Sequence, residues 1–150
     1  MQGVIAAFFI SMVPILELRA GIPAGVAAGL NPWQAMLVAV AGNILPVPFA
    51  LLFLRKILRT LRRTSSRLNR IIARYEQKTL TKAEKVRKYE ALGLLLFVAV
   101  PLPGTGAWTG AVIASILEIR LKTAVPMILL GLLIAGVIVT SITYGASMVL

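Results

Sequence analysis

The chain contains no cysteine and no histidine. Without cysteine there is no disulfide framework, no thiol chemistry and no thiolate metal site. Without histidine the commonest acid–base group and metal ligand is missing too, which leaves metalloenzyme and catalytic-triad readings almost no material. No catalytic residue, metal, cofactor or enzymatic activity is therefore expected. Charge is also scarce: 14% of the 150 residues are charged against 59% hydrophobic, far from the balance of a soluble domain. The start has neither a basic n-region nor an A-x-A site, so a cleaved signal peptide is not expected.

The charge that is present lies mostly in one place. Of 16 Lys and Arg, 13 fall within residues 55–88, and only Arg19, Arg120 and Lys122 lie elsewhere. The net charge of +11 raises the question of nucleic acid. Yet residues 55–90 hold only two aromatics, Tyr75 and Tyr89, and sit between apolar segments, so nucleic acid is not expected as a partner. Leu54, Ile57, Leu58 and Leu61, then Leu68, Ile71, Ile72 and Tyr75, recur at helical spacing with arginines on the other face. That pattern is a basic amphipathic helix of the kind that lies on an anionic cytoplasmic leaflet. Residues 77–90 continue polar and helical.

The stretch P-I-L-E-L-R-A-G-I-P-A-G, residues 14–25, puts Glu17 and Arg19 between two uncharged apolar runs. A charge at membrane depth costs roughly 2.5 kcal/mol upward on insertion scales, and usually marks a site. Pro14 and Pro23 flank the pair, so one unbroken helix is not expected to pass through it. Each run, at about 1.5 Å per residue, reaches only part of a hydrocarbon core about 30 Å thick. A re-entrant hairpin with a charged tip fits these lengths. The competing reading is one kinked spanning helix whose two charges satisfy freed backbone groups.

Asn31-Pro32-Trp33 reads as a turn with an interfacial aromatic. Residues 35–54 are long enough to span, but G-N-I-L-P-V-P interrupts them at 42–48. Asn43 there is a polar group at depth, either bonding a neighbouring helix or serving as a ligand. After the basic stretch comes a short apolar run at 91–100, the break P-L-P-G-T-G at 101–106, and a second run at 107–117. A charged connector, E-I-R-L-K at 118–122, leads to a spanning stretch at 124–144 that continues toward Leu150, with Pro126 in its first turn. Both halves thus follow one plan. Small residues recur every four positions after each break, Gly21, Gly25 and Gly29 in one half and Gly106, Gly110 and Ala114 in the other, a ridge for close helix packing.

The positive-inside tendency places the basic stretch in the cytoplasm. Two re-entrant tips then leave Arg120 and Lys122 inside and the uncharged 31–34 turn outside, whereas four ordinary spans put Arg120 and Lys122 outside. The expected fold is an all-α integral membrane domain, an inverted repeat of re-entrant hairpin plus transmembrane helix. Residues 1–54 form the first repeat, 55–90 a basic amphipathic cytoplasmic helical segment, and 91–150 the second repeat. Where the tips meet, one offers Glu17 and Arg19 and the other the Gly104-Thr105-Gly106 backbone and the Thr105 hydroxyl. Either Arg19 neutralises Glu17, or desolvation favours a protonated, proton-coupling carboxylate. Helix ends of both signs reach the centre, so dipoles alone do not fix the sign of a substrate.

The segments E-L-R-A-G-I-P, G-N-I-L-P-V-P-F and V-P-L-P-G-T-G-A-W-T-G, in that order around a basic loop, resemble the small multidrug export protein family over nearly the whole chain. That family is distantly similar to the DedA/VTT superfamily of membrane proteins with two re-entrant loops. The resemblance implies the inverted-repeat fold and a multi-pass place in the plasma membrane of a prokaryote. It also implies a function among lipid-carrier translocation, lipid scrambling and proton-dependent drug tolerance. Glu17 and Arg19 match the acidic and basic positions of the first loop motif, and Ala20 stands where glycine is frequent. The second loop lacks the arginines usual in DedA proteins, a departure that weakens a DedA-type mechanism. The leading expectation is an ion- or proton-coupled exporter with Glu17, Arg19, Asn43, Gly104, Thr105 and Gly106 as substrate- or ion-binding residues. The alternatives are a translocase of phosphate-bearing lipid carriers and a non-transporting membrane scaffold. Expected partners are membrane lipids, a small amphipathic or lipid-phosphate substrate, and a second copy in a homodimer.

Overall fold

A computed structural model of the chain describes residues 1–80 and 83–149. Among these, all regular structure is helical: α1 (Gln2–Met12), α2 (Glu17–Ala27), α3 (Pro32–Ile44), α4 (Val47–Thr64), α5 (Ser66–Leu80), α6 (Ala83–Ala99), α7 (Ala107–Ile116) and α8 (Leu121–Val149). Two stretches are long and apolar enough to cross a membrane, the α3–α4 rod Pro32–Thr64 and Leu121–Gly145 of α8. By contrast α1 and α7, with 11 and 10 residues, reach only about half of a hydrocarbon core.

Local chemistry sets these ends. α1 stops because Pro14 forces the preceding Val13 into the extended region (φ −72°, ψ 129°). α3 starts at Pro32 with Asn31 as its cap, the Trp33 N–H donating to Asn31 Oδ1 at 3.1 Å. α2 and α7 end in the same way. The Leu30 N–H donates to the Gly25 carbonyl at 3.0 Å, and the Ile119 N–H to the Ala114 carbonyl at 2.9 Å. Gly29 (φ +91°) and Glu118 (φ +53°) take the left-handed position this cap needs, which glycine adopts without penalty and glutamate does not.

Several expectations need correction here. Pro23 lies inside α2 rather than at a break, and Pro126 is the sixth residue of α8 rather than in its first turn. The basic stretch contains a helix of its own, α5, but is not set off from the spans at its ends. α4 runs through residues 54 and 55, and α6 through 90 and 91, so helices continue across both changes in composition. Within the stretch read as polar helix, residues 81 and 82 lie outside the described residues, as does Leu150 at the end of the last span.

Small residues let the first three helices touch at the backbone. α1 and α2 run antiparallel, with Gly3 facing Ala28 and Leu30 at one end and Gly21 facing Ser11 and the Ala7 carbonyl at the other. Gly42 of α3 lies against the Phe8 backbone, and Gly25 sits between Ala7 and Ala35. In the second half Gly110 of α7 and Gly131 of α8 both face Val98 of α6. Gly136 of α8 then packs on Met36 of α3, joining the halves around a core that includes Leu18, Ile22, Leu51, Ile128 and Leu132.

The ridge is therefore real in part and differently registered. Gly29 belongs to the cap, with nothing within 4 Å of an added carbon. One constant offset relates Pro14 to Pro103, Gly21 to Gly110, Gly25 to Ala114, Gly29 to Glu118 and Pro32 to Leu121. The cap positions Gly29 and Glu118 thus align the two series one helical turn away from Gly21 beside Gly106.

At one end of the bundle Arg62 Nη1 reaches Glu118 Oε1 at 2.6 Å, and Arg55 donates to the Ile119 carbonyl. At the other end Asn31, Trp33, Thr140, Ser141 and Tyr144 line one cavity of about 330 Å³.

Overpacking at the junction of α1, α2 and α3 gives the first test. A carbon added at Gly25 comes within 3.0 Å of both Ala7 Cβ and Ala35 Cβ. Gly25→Leu is expected to lower stability by about 1–3 kcal/mol in a detergent melt. Gly93→Leu, where an added carbon meets nothing within 4 Å, is expected to melt like the wild type. Equal melting of both variants would mean that backbone approach at Gly25 contributes nothing.

Candidate functional site

The turn between α1 and α2 meets the turn between α6 and α7 at a buried contact between Glu17 and Gly106, while the tips of both turns are exposed. Glu17 is the first residue of α2, takes the left-handed conformation (φ +49°), and is 5% exposed. A buried glutamate in that conformation is held by its surroundings, since such backbone costs about 1–3 kcal/mol. What holds it is the other hairpin. The Trp108 N–H donates to Glu17 Oε1 at 3.2 Å, and the carboxylate lies against the first amides of α7.

α7 has no capping side chain of its own, because its cap position is Gly106. Glu17 takes that role from the opposite half of the chain, placing negative charge at the positive end of the helix. Gly106 has to be glycine for two reasons. Its φ is +144°, and any Cβ would fall on the Glu17 carboxylate.

Arg19 engages the same turn one residue earlier. Its Nη2 donates to the Thr105 carbonyl, and to Thr105 Oγ1 at 2.9 Å. That hydroxyl also accepts from the Leu102 N–H at 3.1 Å. Its single proton points to the carbonyl of Val100 or of Leu102, at 2.6 and 2.7 Å. Thr105 therefore ties the second turn together and presents it to Arg19. Trp108 completes the junction, its indole N–H donating to the Met12 carbonyl at the end of α1 at 3.3 Å.

Asn43 of α3 is completely buried. Its amide faces the Glu17 carboxylate, yet neither its nitrogen nor its oxygen makes a hydrogen bond of normal geometry. Leaving a buried amide unpaired costs about 1–3 kcal/mol per group, and the polar group Asn43 faces is the Glu17 carboxylate.

Five of the six residues singled out from the sequence, Glu17, Arg19, Asn43, Thr105 and Gly106, thus converge. Gly104 does not. It shapes the turn at φ +83° with open space around it. Trp108 and the Met12 carbonyl were missed as members of the junction. The signal available was the aromatic residue two positions after Gly106, in the first turn of α7.

An all-helical bundle with two membrane-length apolar stretches and the buried charge of Glu17 has the make-up of an integral membrane protein. The family described as "Putative small multi-drug export protein" matches residues 17–138, and the chain belongs to that family. No curated protein and no solved structure matches the chain.

The junction yields a double-variant test. Gly106→Ala is expected to lose about 1–3 kcal/mol of stability, since it strains the backbone and displaces the carboxylate. In a Glu17→Ala background the collision is gone and only the backbone strain remains. The two losses should then be less than additive in thermal melts. Strict additivity would mean that Glu17 and Gly106 do not touch.

Proposed function

We propose that this protein is a small membrane exporter of hydrophobic cations, with Glu17 as the group that takes either the cargo's positive charge or a proton. The observation that carries this reading is the buried Glu17 carboxylate held where both hairpin turns meet. Family membership supports the transport class. The sign of the cargo follows from what is already occupied. The start of α7, a natural anion receiver, holds Glu17, and Arg19 is committed to Thr105. A translocase of phosphate-bearing lipid carriers would have no open anion receiver at this centre. Asn43, adjacent and unpartnered, is positioned to bond cargo or a proton-bearing carboxyl during exchange.

We read the α1–α2 and α6–α7 pairs as re-entrant hairpins entering from opposite faces of the membrane, the halves forming an inverted repeat. The shared offset between the halves and their matching caps support this. So does the Arg62–Glu118 pair, which joins the basic end of α4 to the connector before α8. With that end in the cytoplasm by the positive-inside tendency, the Asn31–Trp33 turn faces outside. Two full-length spans enclose little space, so a homodimer belongs to the reading.

Topology is tested with single cysteines, which this chain accepts cleanly because it has none. Asn31→Cys should react with an impermeant thiol reagent from outside, and Lys122→Cys only after the cytoplasmic face is opened. External labelling at position 122 would restore four plain spans.

Transport is tested in proteoliposomes with a fluorescent hydrophobic cation and an imposed proton gradient. Glu17→Gln is expected to abolish uptake while keeping the wild-type elution profile. Arg19→Lys should reduce uptake about tenfold, because the planar fork that grips Thr105 is lost. Unchanged uptake by Glu17→Gln would reduce the carboxylate to a structural cap.

A further inference from the structure

Where α4 passes from apolar to basic sequence, Arg55, Arg59 and Arg63 stand on successive turns of one face, with Lys56 beside them. These four cations, with Leu52 of the same helix and Leu121 at the start of α8, line a groove of about 550 Å³. Among the described residues, no acidic one lines it. Glu118 lies in an adjoining cavity and is bound to Arg62 at 2.6 Å. Arg55 is anchored at the inner wall, where it donates to the Ile119 carbonyl while its Nε is buried without a partner. Lys56, Arg59 and Arg63 are exposed at the outer wall.

We propose that this groove binds the phosphate head group of an anionic membrane lipid. Guanidinium groups on successive turns grip phosphate oxygens in pairs, and their aliphatic stems lie along apolar surface. The apolar part of the lining is what selects a lipid over a soluble phosphate. Leu52 is 55% exposed, and Phe49 and Phe53 on the same helix are 70% and 65% exposed, a surface for acyl chains directly beside the cations. Depth agrees as well. The groove opens where α4 turns basic and α8 begins, the level at which a spanning stretch meets head groups. The site lies apart from the Glu17 centre, and its occupancy does not depend on the transport reading.

The test uses the full chain in a neutral detergent, with bound lipid counted by native mass spectrometry. Phosphatidylglycerol, phosphatidylcholine and glycerol 3-phosphate are the probes. The wild type is expected to retain one phosphatidylglycerol per chain, and neither of the other two. Arg59→Gln/Arg63→Gln should weaken that retention about 30-fold, two basic contacts at the usual value per residue near a membrane surface. Arg67→Gln/Arg70→Gln on α5 removes the same charge at exposed positions outside the groove, and should leave retention unchanged. Equal retention of phosphatidylglycerol and phosphatidylcholine by the wild type overturns the proposal without any variant. So does an equal loss in both double variants, which would mean diffuse attraction. Competition by glycerol 3-phosphate as strong as by the lipid would mark a free-phosphate site instead.

Discussion

A carboxylate from one half of the chain caps a helix of the other, and the interior of this protein is arranged around that contact. α7 begins at a glycine and brings no capping group, so its first amides, at the buried Ala107, would otherwise stand unpaired. Glu17 meets that need and its own at once. A buried carboxylate gains hydrogen-bond donors and the favourable end of a helix dipole. The contact also imposes conditions outward. Gly106 has to lack a side chain, Glu17 has to take a left-handed backbone, and Arg19, two residues on, is brought to Thr105.

Such a junction needs helices that approach closely, and the chain supplies them with small residues. Gly21 and Gly25 let α1 and α2 close on each other and on α3, while Gly110 and Gly131 let α7 and α8 close on α6. In lipid no hydrophobic drive separates helix from solvent, so packing at this range carries the association. The same caps end α2 and α7, and each leads after a short connector into a long helix. Equal local solutions in the two halves bring the two turns to one place.

Charge organises the opposite extreme of the molecule. Arg55 and Arg62 fasten the lower part of α4 to the connector before α8, using a carbonyl and a carboxylate. The remaining cations of that face, Lys56, Arg59 and Arg63, stay exposed. Arginines that hold the fold and arginines that are exposed thus alternate along one helix, and helical spacing separates them.

Sequence by itself determined the local features. Charge inside apolar runs exposed Glu17 and Arg19, a proline marked each turn, and run lengths separated half-length helices from full ones. It did not determine the register of the two halves. A glycine ridge that repeats every four residues looks the same after a shift of four. Only the cap geometry at Gly29 and Glu118 removes that ambiguity, and glutamate at a left-handed position leaves no mark in composition. Nor did sequence reveal that Trp108 would donate to Glu17 and Met12 while Gly104 stood aside. Partners across the chain depend on which turn of one helix faces which turn of another. That choice is made by packing over distances that no local pattern encodes.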